Sequence, residues 1–263
     1  MAVQERAHAC SLVPRRFLVA RLVYMNFTDW SEANNTAFYY LENAPLGPGY
    51  RAAPQIFFFT PHNLWYLIFQ NGNSAYSTNK NISDPTGWTA PTNFFAVEPP
   101  IVIEDGTGDG GWLDMWMICD DENCHLFSSD DNGNLYRSQT PKASFPDGFN
   151  QPVIALKDPN RFSLYEASNF YKYGDSQYLL LVEAIGSDGH RYFRSWITTD
   201  LAGPYQPLAD TEANPFARAS NVAFDDGTQW TIDISHGEMI RSSIDETLTI
   251  DRVYTIVVGM GLL

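Results

Sequence analysis

Two carboxylates stand where the sequence otherwise reads as apolar strand. Asp114 lies in Gly111-Trp112-Leu113-Asp114-Met115-Trp116-Met117-Ile118, and Glu166 lies in Leu164-Tyr165-Glu166-Ala167-Ser168-Asn169-Phe170. A carboxylate enclosed by Trp and Met, or by Tyr and Leu, loses solvation and holds its proton more tightly unless a partner offsets the loss. A carboxyl group in that condition can serve as the general acid of glycoside cleavage. A strand-edge acid hydrogen-bonded to backbone has the same signature, so both readings stand on pattern alone. Glu183, in the run Tyr178–Ala184, is a weaker instance.

His236, in Ile234-Ser235-His236-Gly237-Glu238-Met239-Ile240-Arg241, is the histidine placed in a repeated strand position, where it reads either as a hydrogen-bonded core residue or as a ligand or base. Lys157-Asp158-Pro159 is followed by Asn160-Arg161 with no apolar strand, so Asp158 is read as a loop residue. No Gly-rich phosphate loop, zinc helix motif or nucleophile elbow is present. Cys119 and Cys124 flank Asp120-Asp121-Glu122-Asn123 between two apolar runs, a spacing that can staple a hairpin under oxidising conditions and makes a poor zinc signature. Cys10 is left odd. Sequons at Asn26, Asn34 and Asn81 are compatible with secretion.

The scaffold that positions these groups is charge-poor and aromatic. Of 263 residues, 44% are hydrophobic, 18% charged and 14% aromatic, and 16 Lys+Arg against 31 Asp+Glu give a net charge of −15. Phosphate binding needs a basic face, so nucleic acid is excluded as a partner, and docking on anionic lipid fails on the same ground. No apolar stretch is long enough to span a bilayer. Frequent turn pairs, including Asn71-Gly72, Asn132-Gly133 and Asp188-Gly189, separate short β-type runs. One pattern recurs: strand, tight turn, then an aromatic or apolar residue, a small or basic one, and Ser. Aligned on the Ser column, the copies fall at 25, 77, 138, 195 and 242. A period of about 50 residues is that of one four-stranded propeller blade. The expected fold is therefore all-β, a five-bladed β-propeller whose first and last blades are incomplete.

Residues 1–22 concentrate basic side chains at Arg6, Arg15, Arg16 and Arg21, and Pro14 with its two arginines interrupts any apolar run that a secretory signal would need. The segment is read as foreign to the domain at 23–263, a targeting arm being the other reading.

Long strings make the chain recognisable: VYMNFTDWSEANN, GYRAAPQIFFF, NLWYLIFQNGNSAYSTN, WLDMWMICDDENCHLFSSDDNGNLYRSQT, LYEASNFY, YLLLVEAIGSDGHRYFRSW, NPFARASNV and SHGEMIR. From about Leu22 to about Ile250 it closely resembles the α-L-arabinofuranosidases of glycoside hydrolase family 62. The resemblance implies a secreted, monomeric propeller that removes arabinofuranosyl side groups from arabinoxylan or its oligosaccharides by inversion, with one carboxylic acid protonating the glycosidic oxygen and a carboxylate opposite activating water. It implies Glu166 as general acid, Asp114 as a third carboxylate that positions the acid, His236 at a structural calcium position, and a hairpin disulfide between Cys119 and Cys124. Calcium prefers oxygen ligands, so waters and carbonyls would have to surround that single His. Arg51, Trp65 and Arg241, within the matching strings, are assigned to substrate binding. The family's catalytic base is an Asp in a Lys-Asp-Pro motif upstream of VYMNF. Residues 1–22 contain no Asp, and Asp158 falls in another blade, so the role is not transferred. The chain is expected to be catalytically impaired; the alternatives are a propeller that binds arabinoxylan without cutting it, and a chain that does not fold stably.

Overall fold

The computed structural model describes residues 6–12, 21–104, 112–224, 227–251 and 256–257. The Pro14–Arg16 interruption and the chain end from 258 lie outside them. The chain divides into two compact units, one centred on Met1–Val97 and the other on Glu98–Gly261. Among the described residues the strands form five antiparallel sheets, and the α-helical content is a single short helix, α1 (Pro100–Glu104). The all-β expectation holds. No helix among the described residues is long and apolar enough to cross a membrane.

In the N-terminal unit, β1 (Arg6–Leu12), β2 (Arg21–Phe27) and β3 (Tyr39–Tyr40) make one sheet, in that order. Residues 6–12, within the segment set apart on sequence grounds, thus run as a strand along β2, with Arg6 opposite Phe27 and Leu12 opposite Arg21. A four-stranded meander follows: β4 (Gln55–Phe59), β5 (Leu64–Gln70), β6 (Ser74–Asn79) and β7 (Thr92–Asn93). Its central strand is buried along most of its length, which explains the nearly unbroken apolar run Leu64–Phe69. Leu22, Tyr24, Leu41, Leu46, Ile56, Leu67, Phe69 and Trp88 form the core of this unit.

The C-terminal unit repeats the meander. The first copy is β8 (Leu113–Cys119), β9 (Asn123–Ser129), β10 (Asn134–Pro141) and β11 (Val153–Lys157). The second is β12 (Glu166–Gly174), β13 (Gln177–Ile185), β14 (Arg191–Thr198) and β15 (Gln206–Thr211), extended by β16 (Asn214–Pro215). A last pair, β17 (Glu238–Met239) and β18 (Ile256–Val257), ends the described chain. β12 packs against β8 and β9: Trp116 Nε1 of β8 donates to the Phe170 carbonyl at 3.1 Å, and Phe127 of β9 stacks on Phe170 at 4.0 Å.

The repeat seen in the sequence now has a structural meaning. Ser77, Ser138 and Ser195 all lie on the third strand of their own meander, on β6, β10 and β14. Each follows a hairpin whose glycine (Gly72, Gly133 or Gly189) has positive φ, a conformation that glycine adopts without steric cost. At Gly133 the close approach of the Asp158 carbonyl, 2.5 Å from where a Cβ would stand, adds a second reason for glycine. Two of the three buried hydroxyls bind the chain that comes next: Ser77 Oγ donates to the Thr89 carbonyl at 2.7 Å, and Ser195 Oγ accepts from the Ala209 N–H at 3.1 Å.

Candidate active site

The first strand of each meander, and of the last strand pair, is entered through an irregularity. Among non-glycine residues, Ala53, Asp114, Ala167 and His236 all have left-handed backbone, with φ of 47°, 52°, 51° and 44°. A side chain there costs about 1–2 kcal/mol, so four occurrences at matching places are a built feature. In each copy regular pairing starts two residues later, at Gln55, Trp116, Asn169 and Glu238. For β8 and β12 the irregularity is a bulge, with register shifts between Leu113 and Trp116 and between Glu166 and Asn169. Bulges re-aim side chains, and here they turn carboxylates inward from apolar strands.

Three of the residues singled out by sequence meet in the C-terminal unit. Asp114 Oδ2 accepts the Ala167 N–H at 2.9 Å and lies 3.3 Å from His236 Nε2. His236 Nδ1 is 4.0 Å from Glu166 Oε1 and 3.4 Å from Glu183 Oε2. Glu183, the weaker candidate, is fully buried beneath them. Its Oε2 accepts the His236 N–H at 2.8 Å and the Ser235 hydroxyl at 2.9 Å.

The sequence reading missed Arg191. Its Nη1 donates to both Glu166 Oε1 and Glu183 Oε1. The signal was present in the hairpin register. A three-residue turn over 187–189, closed by the Gly186 N–H on the His190 carbonyl, pairs Ile185 with Arg191, which puts Arg191 diagonally beside Glu183 on the same sheet face. Glu166 pairs directly with Glu183 on the other side. Two like charges opposite each other would repel, so the guanidinium completes a Glu–Glu–Arg row across three strands. Tyr165 lies beneath Arg191, with the guanidinium carbon 5.2 Å from the ring centroid.

These contacts divide the two glutamates electrically. Burial is the main effect on Glu166 and, with the Asp114 charge, pushes its pKa up; His236 and Arg191 oppose but do not cancel it. Burial would also raise Glu183, yet its hydrogen bond and charge contact with His236, and those with Arg191, hold it below the usual carboxylate range. His236 loses solvation too, but Asp114 and Glu183 raise its pKa well above that of a free imidazole. The group therefore sets a carboxyl of raised pKa, Glu166, beside one held low, Glu183, with Arg191 and His236 as cations. The side chains of Arg191 and His236 are 30% and 38% exposed, so the cluster reaches solvent on their side.

Asp114, Glu166 and His236 also bring one ligand atom each within 4.8 Å of one another. Anionic oxygens face both ring nitrogens of His236, so the position suits a cation, which would take the place of the imidazole proton. The donors supply few oxygens, and waters would have to complete a calcium shell.

The remaining predicted residues lie elsewhere. Arg241 Nε is 2.9 Å from Glu238 Oε1, beside the last strand pair of the same unit. Arg51 and Trp65 belong to the N-terminal unit. Arg51 donates to Asn71 Oδ1 at 2.5 Å and lies over Phe69, while half-buried Trp65 meets Phe58 edge-on at 5.3 Å. Asp158 follows β11 as a loop residue, 3.1 Å from Arg194 Nη1. Cys119 and Cys124 form a disulfide across the β8–β9 hairpin.

Comparison with known proteins finds relatives over most of the chain. The family model described as Glycosyl hydrolase family 62 matches residues 19–260. Alpha-L-arabinofuranosidase C of Cellvibrio japonicus is 44% identical over 235 residues, covering 88% of this chain and 35% of that protein. The chain thus spans about a third of the length of that curated relative. The catalytic domain of the Coprinopsis cinerea GH62 α-L-arabinofuranosidase is 59% identical, with a TM-score of 0.87 over 92% of this chain and 75% of that one. The Podospora anserina α-L-arabinofuranosidase, solved in complex with cellotriose, is 56% identical, with a TM-score of 0.89 over 94% and 77%.

Proposed function

Because the chain belongs to glycosyl hydrolase family 62, we propose that it is an α-L-arabinofuranosidase acting on the arabinofuranosyl side groups of arabinoxylan. The observation that carries this reading is the pairing of Glu166 with Asp114 through the Ala167 N–H at 2.9 Å. Glu166 is the general acid: its buried, protonated carboxyl gives its proton to the glycosidic oxygen as the bond to arabinose breaks. Asp114 holds the strand entry that aims Glu166 and keeps a negative charge beside it. The sheets are read as blades of a five-bladed propeller, and Arg51, Trp65 and Arg241 as substrate contacts. Calcium, with His236 as its protein ligand, would supply fixed positive charge among the carboxylates. The disulfide and the sequons support an extracellular, oxidising setting, and a monomer is proposed.

Inversion also needs a base to activate water, and residues 1–22 contain no Asp to match the family's upstream motif. Release of arabinose by these 263 residues is therefore proposed to be impaired, by about the 10²–10⁴-fold that a general base contributes. The same observation favours a second reading, an arabinoxylan-binding protein that does not cut. The test is arabinose release from wheat arabinoxylan, with Glu166→Gln as control. Slow release abolished by the substitution supports the enzyme. No release, together with retention on insoluble arabinoxylan, supports the binding protein; neither release nor retention defeats both.

A further inference from the structure

Glu183 has no role in a two-carboxylate mechanism, yet it is the most connected acid of the site. It is fully buried. Isolated buried carboxylates are strongly disfavoured, and one that persists must be held by several charged or hydrogen-bonding partners. Glu183 has four, and they come from two directions. Oε2 takes the backbone N–H of His236 at 2.8 Å and the Ser235 hydroxyl at 2.9 Å, and lies 3.4 Å from His236 Nδ1. Oε1 takes Arg191 Nη1, the same nitrogen that binds Glu166 Oε1.

Arg191 is itself pinned by that segment: its N–H donates to Asp233 Oδ1 at 2.8 Å and its carbonyl accepts from Ile234 at 3.1 Å. One oxygen of Glu183 therefore fixes the loop carrying His236, while the other fixes the arginine gripping Glu166. His236 in turn faces Asp114, the third carboxylate.

We propose that Glu183 is a positioning residue for the general acid: by holding Arg191 and the Ser235–His236 backbone at once, it sets where the Glu166 carboxyl points. This rests on the reading of Glu166 as the acid and goes beyond it, since Glu183 touches no reacting atom. Arg191 is the arm through which Glu183 acts. Losing either one leaves Glu166 in place but free to turn away from the glycosidic oxygen.

Leaving-group chemistry separates this role from simple structural support. Xylan is a poor leaving group and needs the acid's proton, whereas 4-nitrophenolate departs without it. Glu183→Gln keeps the size and one acceptor oxygen. It is expected to lower kcat on arabinoxylan by about tenfold or more with KM changed less than about threefold, while hydrolysis of 4-nitrophenyl α-L-arabinofuranoside falls by less than about threefold. Arg191→Gln, on a partly exposed side chain, should give the same split, and Glu166→Gln/Glu183→Gln should lose little beyond Glu166→Gln alone. An equal loss on both substrates in both single variants, or additive losses in the double variant, would overturn the positioning role and leave the enzyme assignment standing. A wild-type chain that hydrolyses neither substrate overturns the enzyme assignment and this role with it.

Discussion

The backbone N–H of Ala167 donates to Asp114 Oδ2 at 2.9 Å, so the residue next to Glu166 is fastened to a carboxylate 53 positions earlier in the chain. That bond joins the entries of β8 and β12, and it makes the direction of Glu166 depend on Asp114. Asp114→Asn can keep an acceptor oxygen but loses the charge. It is expected to lower arabinose release by about 10²-fold with a thermal midpoint close to that of the wild type. Steady-state rates and a melting curve on the same sample check this; an unchanged rate would remove Asp114 from the mechanism.

Asp120 gives a prediction about acid stability. Burial would raise its pKa, but its bond to His125 and those from the Asn123 and Glu122 amides prevail and hold it at about 2. A carboxylate depressed below its ordinary 3.8 contributes stability above that value and loses it as pH falls through about 2. Asp120→Asn should therefore destabilise the chain at pH 7, and the gap from wild type should close between about pH 4 and pH 2. Urea titrations at pH 7, 4 and 2.5 measure the gap; one that stays constant would contradict the assignment.

The disulfide closes a short loop, with Cys119 and Cys124 separated by 5 positions. Loop-closure entropy for so small a ring is worth about 2 kcal/mol, so Cys119→Ser/Cys124→Ser should lower Tm by about 4–8 °C. The hairpin lies at the far end of β8 from Asp114, about 17 Å away at the usual rise per residue. KM and kcat should stay as in the wild type, which kinetics at 25 °C will decide.

If His236 carries calcium, the ion stabilises the folded chain by mass action, about 2.7 kcal/mol at a concentration 100 times Kd. Melting curves with calcium and with a chelator should differ for the wild type and coincide for His236→Ala. Coincident curves for both would argue that the imidazole proton alone supplies that charge.

Much of this site was legible in the sequence because charge inside an apolar run is rare and has few explanations. Asp114 and Glu166 stood out for that reason, and the turn glycines marked the hairpins that made the repeat visible. Arg191 did not stand out, since an Arg at a strand end is ordinary; only the pairing of Ile185 with Arg191 puts it beside Glu183. The left-handed entries were invisible, because Ala, Asp and His do not announce positive φ as glycine does. The strand at residues 6–12 was missed for a different reason. Its place depends on backbone bonds to β2 rather than on any pattern of its own, and edge pairing of that kind is set by the partner.

The four left-handed entries also separate chemistry from architecture. The backbone takes the same turn whether the residue is Ala53, Asp114, Ala167 or His236. The scaffold thus pays no attention to the side chain there, and two of the copies carry only a methyl group. Ala53 and Ala167 are blank sockets: positions where a carboxylate, an imidazole or an amide could be installed without redrawing a strand. A protein built this way can change what it does one sheet at a time.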